Sequence, residues 1–125
     1  MKGGQALKVK EIYENALALS ISRIDDDKEL EFYAVKLFNI LLSEIKIYND
    51  QLRIKKGKEA LEQSAKIETV YEEVDLEPEL YAAVSYGLAA KLLAAQEDVN
   101  LAALYNNQYI AMLQVTSPAV SVEVE

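Results

Sequence analysis

The chain has 125 residues, of which 51% are hydrophobic, so a single domain with a real core is expected. It contains neither cysteine nor histidine, which excludes disulfides, thiolate–zinc sites, thiol catalysis and imidazole acid–base chemistry. The net charge of −8 falls on the second half, where residues 63–125 hold two lysines and ten acids, and this argues against tight nonspecific binding to DNA.

Four segments of the sequence carry apolar residues at helical spacing. The first covers residues 5–21 and the second covers residues 27–51. The third begins at Pro78, a residue that suits the first turn of a helix, and runs to residue 96. The fourth covers residues 99–114. Together they predict a mainly α fold, a small four-helix bundle that forms one helical domain over residues 1–114.

Two further segments favour extended structure. Residues 66–74 are rich in β-branched residues, which predicts one or two short strands, although their apolar positions also fit a helix. Residues 115–125 form a predicted extended C-terminal tail in which Val120, Val122 and Val124 alternate with polar residues. This tail is either a disordered end or a strand that adds to a partner's sheet, and the alternation favours the partner.

Three charged clusters are candidates for chemistry. The run Asp25–Asp27 suits a helix cap better than a cation site, because a calcium loop needs ligands spaced farther apart. The acids from Glu72 to Glu79 suit an acidic loop before a helix better than a catalytic pair. A basic segment suits a solvated loop, with DNA contact as its alternative. Its members are Arg53, Lys55, Lys56 and Lys58. No catalytic, cofactor or metal site is predicted.

The third helix is apolar on nearly every side and contains many small residues, so neighbours can approach it closely. Such a helix is either buried at the centre of one chain or covered in part by a neighbouring subunit, and the sequence leaves both open. The candidate interface positions on it are Ala83, Tyr86, Gly87 and Ala90.

A family resemblance covers roughly residues 8–113, from an N-terminal helix to the closing segment LAALYNNQYIAML. The second helix has the form LEFYAVKLFNILLSEI and includes Asn39, and the step Glu77-Pro78-Glu79 leads into the third helix. That helix carries an Ala…Tyr…Leu-Ala pattern, here Ala83, Tyr86, Leu88 and Ala89. In these features the chain resembles the head-to-tail adaptor, or head completion, proteins of tailed phages. A tryptophan that often follows the second helix in that family is absent.

The resemblance implies a virion structural protein without catalytic residues. Copies form a ring, commonly of twelve, that docks under the portal protein and extends the DNA channel toward a downstream tail or neck protein. DNA passes through that channel transiently, and the C-terminal tail serves to embrace the portal. The expected location is the virion neck, after synthesis in the host cytoplasm.

The alternative is a small helical regulatory or partner-binding protein that acts as a dimer. An enzyme built on carboxylates alone is a third and weaker possibility. No signal-peptide pattern opens the sequence, and no run of about 18 uncharged apolar residues could span a bilayer, so a soluble protein with no membrane partner is expected.

Overall fold

The computed structural model describes residues 7–20 and 28–116. In chain order the elements are β1 (Leu7–Lys8), α1 (Val9–Leu19), α2 (Lys28–Glu44), α3 (Lys46–Lys55), β2 (Glu73–Val74), a 3₁₀ turn (Pro78–Leu80), α4 (Tyr81–Ala95) and α5 (Val99–Thr116). The predicted mainly α fold with a minor β element is confirmed.

The predicted second helix consists of two helices that meet at Ile45. This residue has φ −93° and ψ 2°, outside the helical range, although the Asn49 amide still donates to its carbonyl at 2.9 Å. No proline or glycine in this segment signals the break, and the apolar period of the sequence continues through it. α3 then runs to Lys55, beyond the predicted end at residue 51.

The β element joins the start of the chain to its middle. Leu7 lies opposite Val74 and Lys8 opposite Glu73 in an antiparallel pair. A strand within residues 66–74 was therefore predicted correctly, but it has only two residues. The predicted helix start at residue 5 was wrong, because α1 begins only after the strand that this pairing creates.

α4 lies at the centre of the described structure, with α1, α2 and α5 packed against it. Its buried positions fall on every side of the helix: Ala83, Val84, Ser85, Gly87, Leu88, Ala89, Ala90, Leu92 and Leu93. The other helices cover it with amphipathic faces, such as Ile12 and Tyr13 of α1 and Phe38 and Leu41 of α2. The chain therefore buries its most apolar helix largely by itself.

Gly87 sets how closely the neighbouring helices approach α4. A Cβ placed on it would lie 2.8 Å from Leu41 Cδ2 and 3.0 Å from two ring carbons of Tyr109. Leu41 is fully buried and Tyr109 nearly so, so neither side chain has room to withdraw. The absence of a side chain at Gly87 thus lets α2 and α5 meet over the same turn of α4.

The C-terminal tail begins later than predicted. α5 continues to Thr116, so Val115 and Thr116 belong to the helix. Residues 117–125, with Val120, Val122 and Val124, lie outside the described residues, as does the run Asp25–Asp27.

We predict that Gly87→Ala lowers the free energy of unfolding by about 1 kcal/mol. Overpacking costs about 1–3 kcal/mol, and the higher helix propensity of alanine returns up to about 1 kcal/mol. Chemical denaturation of the parent and the variant measures the difference. The control is Ala82→Gly at an exposed position of α4, which should cost about 1 kcal/mol through propensity alone. A Gly87→Ala variant more stable than the parent would show that the close approach is relaxed in solution.

Candidate functional site

The acidic step before α4 contains a buried carboxylate. The side chain of Glu77 is only 2% exposed. Lys56 Nζ donates to its Oε1 at 2.8 Å, and Lys58 Nζ donates to its Oε2 at 3.0 Å. Lys56 also donates to Glu79 Oε1 at 2.8 Å. Glu77 is therefore held between two ammonium groups that come from the segment after α3.

Arg53 extends this ion cluster on the other side. Its Nη1 donates to both carboxylate oxygens of Asp75 at 3.0 Å, and its Nε donates to the Glu59 carbonyl at 2.7 Å. The Arg53 Nη1 also lies 3.9 Å from Glu77 Oε2. The guanidinium thus ties the end of α3 to both the segment that follows it and the segment that precedes α4.

Local backbone geometry brings the lysines to the glutamate. α3 ends at Lys55, and Gly57 takes φ +82°, a left-handed conformation that glycine adopts without a steric penalty. The Lys58 amide then donates to the Arg53 carbonyl at 2.8 Å, which is the closure typical of a helix C-terminus with a left-handed residue. The chain therefore turns back directly after α3, and this turn places Lys56 and Lys58 next to Glu77.

Two asparagines hold the connection between α3 and α4 in place through hydrogen bonds to its backbone. Asn49 accepts from the Glu77 amide at 2.8 Å and donates to the Asp75 carbonyl at 3.2 Å. Asn39 accepts from the Ile67 amide at 2.9 Å and donates to the Ile67 carbonyl at 3.0 Å. Each amide side chain satisfies backbone groups of an irregular segment, which would otherwise be costly to bury. Asn39 and Glu77, two positions of the family resemblance, thus have structural partners in this fold.

The ion cluster fixes the protonation of Glu77. Burial raises the pKa of this carboxyl, but the hydrogen bonds and charges of Lys56 and Lys58 outweigh it and hold the pKa below 4.5, its ordinary value. The hydrogen bond to Glu77 likewise raises the pKa of Lys56. Both groups therefore stay charged near neutral pH. A carboxylate held ionised by two cations is suited to joining segments, not to donating a proton.

A second polar link joins three helices around one carboxylate. Tyr109 Oη donates to Glu44 Oε1 at 2.9 Å, and Lys91 Nζ donates to Glu44 Oε2 at 3.0 Å. Burial and the nearby Glu44 charge raise the pKa of Tyr109, so its hydroxyl remains a donor. This link fixes α5 and α4 against the end of α2.

The basic segment differs from the sequence prediction. The segment from Ile54 to Ala60 is exposed, as the solvated-loop interpretation expected, but Arg53, Lys56 and Lys58 also form ion pairs with carboxylates of the same chain, which that interpretation did not include. Lys55 is exposed and makes no ion pair with another described residue. Because three of the four cations already face carboxylates, the segment offers little free positive charge to DNA phosphates. The acidic step about 20 residues downstream was the feature of the sequence that could have indicated these ion pairs.

The candidate interface positions on α4 divide into two groups. Ala83 and Gly87 are buried by other helices of the same chain, so a partner would not reach them in this fold. Tyr86 is half-buried and makes an edge-to-face contact with Tyr105 of α5, at a ring-centroid distance of 5.4 Å. Ala90 is buried but lines an open groove of about 370 Å³ between α4 and α5.

α5 presents a surface that sequence analysis missed. Its 18 residues contain no charged side chain, and only Ala102, Tyr109 and Leu113 are buried. Four large apolar residues on it are strongly exposed: Val99 (70%), Leu104 (61%), Ile110 (45%) and Val115 (80%). The sequence predicted a helix here from the spacing of its apolar residues, but that spacing did not separate the buried side from this exposed one.

Other kinds of site find little support in residues 7–20 and 28–116. These residues contain no group of three or more carboxylates that could hold a metal ion, and no helix among them is long and apolar enough to cross a membrane. No family model, curated protein or solved structure matches the chain.

We predict that the double variant Lys56→Met/Lys58→Met lowers the free energy of unfolding by about 1–3 kcal/mol. The variant removes both charged donors from a buried carboxylate. Solvent screens these ion pairs because the two lysines are partly exposed, and this limits the expected loss of stability. Lys55→Met in the same segment is the matched control and should change stability by no more than about 0.5 kcal/mol. Equal stabilities of the double variant and the parent would contradict the ion cluster.

The same cluster predicts a pH dependence. Because the folded-state pKa of Glu77 is depressed, its charge contributes stability above about pH 4.5, and this contribution is lost as the pH falls through the folded pKa. The stability difference between the parent and Glu77→Gln should therefore shrink as denaturation is measured from pH 7 down to pH 3. A difference that stays constant over this range would show that the carboxylate charge is not what stabilises the fold.

Proposed function

We propose that this protein is a structural, noncatalytic component that works by assembly, as a phage neck adaptor ring between the portal and the tail. The observation that carries the proposal is the exposed side of α5, an uncharged helix surface with four large apolar side chains in water. Exposed apolar patches of this kind mark surfaces that other macromolecules cover. The resemblance to head-to-tail adaptor proteins supplies the particular assembly.

The charged groups also favour assembly over catalysis. The buried carboxylate Glu77 and the exposed carboxylate Glu44 are each bound by donors from other segments of the chain. Both carboxylates fix the positions of helices. The described surface therefore offers contact area, and the hydrogen bonds of these two carboxylates make the fold beneath it more rigid.

The net charge of −8 suits a protein beside a DNA channel. An acidic surface repels phosphates, so it limits tight binding while DNA moves past. The basic segment does not oppose this, since Arg53, Lys56 and Lys58 are paired with carboxylates. Contact with DNA in the channel is thus proposed to be transient.

A dimeric regulatory or partner-binding protein is the second candidate, and one observation favours it. Asn100, Asn107 and Gln114 recur every seven residues on the exposed side of α5. Primary amides both donate and accept hydrogen bonds, so two such rows could pair across a two-fold axis. The dimer and the ring differ in mass, and sizing of the purified chain and of its complex with portal rings separates them.

The proposed portal contact lies in the C-terminal tail. We predict that a chain truncated after Thr116 keeps its thermal midpoint within about 2 °C, because α5 and all its buried residues remain. Its co-sedimentation with portal rings should fall sharply, because each copy loses the strand-forming valines Val120, Val122 and Val124, and multivalent binding multiplies that loss. Val120→Ser/Val122→Ser/Val124→Ser in the full chain is the companion variant. Undiminished portal binding by both would rule out the tail as the docking element.

A further inference from the structure

The connection between α3 and α4 is the longest stretch of the described residues without a helix, and we call residues 58–77 the strap. The two-residue strand β2 is its only regular element. Three backbone amides of the strap donate to side-chain oxygens of α2 and α3 at 2.8–3.0 Å: Leu61 to Asp50, Ile67 to Asn39 and Glu77 to Asn49. The strap therefore lies along these two helices and is attached to them at three points.

The strap depends on side chains for its position. Its backbone-to-backbone hydrogen bonds with other described residues reach only β1, the first residue of α1, the end of α3 and the 3₁₀ turn. A helix, in contrast, holds its own backbone through a continuous series of hydrogen bonds. No residue from 58 to 66 is buried, and the buried apolar residues of the strap are Ile67, Val70, Val74 and Leu76. Few buried contacts and few backbone bonds are typical of the segments that open most easily.

Arg53 couples the two limbs of the strap. Its Nε donates to the Glu59 carbonyl near the start of the strap, and its Nη1 donates to Asp75 near the end. Lys58, in the first limb, donates to Glu77 in the second. Because both limbs share these partners, movement of one limb removes contacts that hold the other.

We propose that the strap opens as a single unit while the helices remain folded, and that the ion cluster holds it closed. In the closed form Glu77 is buried, and a buried carboxylate is tolerated only while cations such as Lys56 and Lys58 compensate its charge. Opening returns this carboxylate to water and exposes the buried apolar residues of the strap. The opening takes place in the free chain and does not depend on the proposed assembly.

Separate opening of the strap has a thermodynamic signature that global unfolding lacks. Contacts between the helices persist when only the strap opens, so weakening such a contact changes global unfolding and leaves strap opening unchanged. Contacts of the ion cluster break in both processes. The hydrogen bond of 2.9 Å from Tyr109 in α5 to Glu44 in α2 is a contact of the first kind.

Amide hydrogen exchange of the full chain, resolved by NMR, measures both processes. The amides of Leu61, Ile67 and Glu77 report on the strap, and the amide of Leu88, which is buried in the middle of α4, reports on global unfolding. In the parent we expect the three strap amides to be similarly protected and at least about tenfold less protected than Leu88.

Variants on the two sides of the structure separate the processes. Tyr109→Phe and the more disruptive Tyr109→Leu should accelerate exchange at Leu88 several-fold and leave the strap amides unchanged. Lys56→Met/Lys58→Met should accelerate all three strap amides by about tenfold. The matched control is Lys55→Met, at an exposed lysine of the same segment, and it should change their exchange by less than about twofold.

Three results would overturn the proposal. Equal acceleration of Leu88 and the strap amides in the Tyr109 variants, or equal protection of these amides in the parent, would show that the strap opens only by global unfolding. Acceleration of a single strap amide in the double lysine variant would show that the strap does not open as a unit. Strap amides that exchange in the double variant as they do in Lys55→Met would show that the ion cluster does not hold the strap closed.

Discussion

The fold depends on the need to cover one helix that is apolar all the way round. α4 buries nine of its residues on every side, and a helix of this kind is stable only when other elements exclude water from it. α1 and α2 use amphipathic faces for this purpose. α5 covers the remaining side with few buried residues, and its own outer side is apolar and uncharged. Covering α4 in this way leaves apolar surface exposed on α5, and in our proposal this surface is covered in an assembly.

Charged residues determine how the irregular segment between α3 and α4 is placed. This segment is long for a compact domain, and its backbone groups need partners wherever it approaches the core. Glu77 supplies a buried anchor that two lysines neutralise, while Asn39 and Asn49 bind backbone groups at two points along it. The helices are thus held by apolar packing, and the connection is held by a few specific polar contacts.

Much of the fold could be predicted from the sequence, because its helices carry strong apolar periods. The location of α4 followed from Pro78, and the short strand at Glu73–Val74 followed from β-branched composition. The break at Ile45 could not be predicted, since no residue there disfavours a helix. The pairing of Leu7–Lys8 with β2 depends on a contact between distant parts of the chain, and local propensity carries no information about such contacts.

The site was harder to predict than the fold. Arg53, Lys56 and Lys58 looked like a solvated basic loop because their partners lie about 20 residues later in the sequence, and only the turn at Gly57 brings the two charge runs together. The exposed side of α5 was missed for a different reason. Apolar residues in a helix are ordinarily assigned to a core, and only the structure separates those that are buried from Leu104, Ile110 and Val115, which are not.

The central claim is that this protein works by assembly and that the outer side of α5 is covered in that assembly. The most direct measurement is a cryo-electron microscopy map of the native assembly at a resolution that shows helices. The account predicts a closed ring in which a neighbouring molecule covers the outer side of α5. A map in which the outer side of α5 faces solvent would contradict the account.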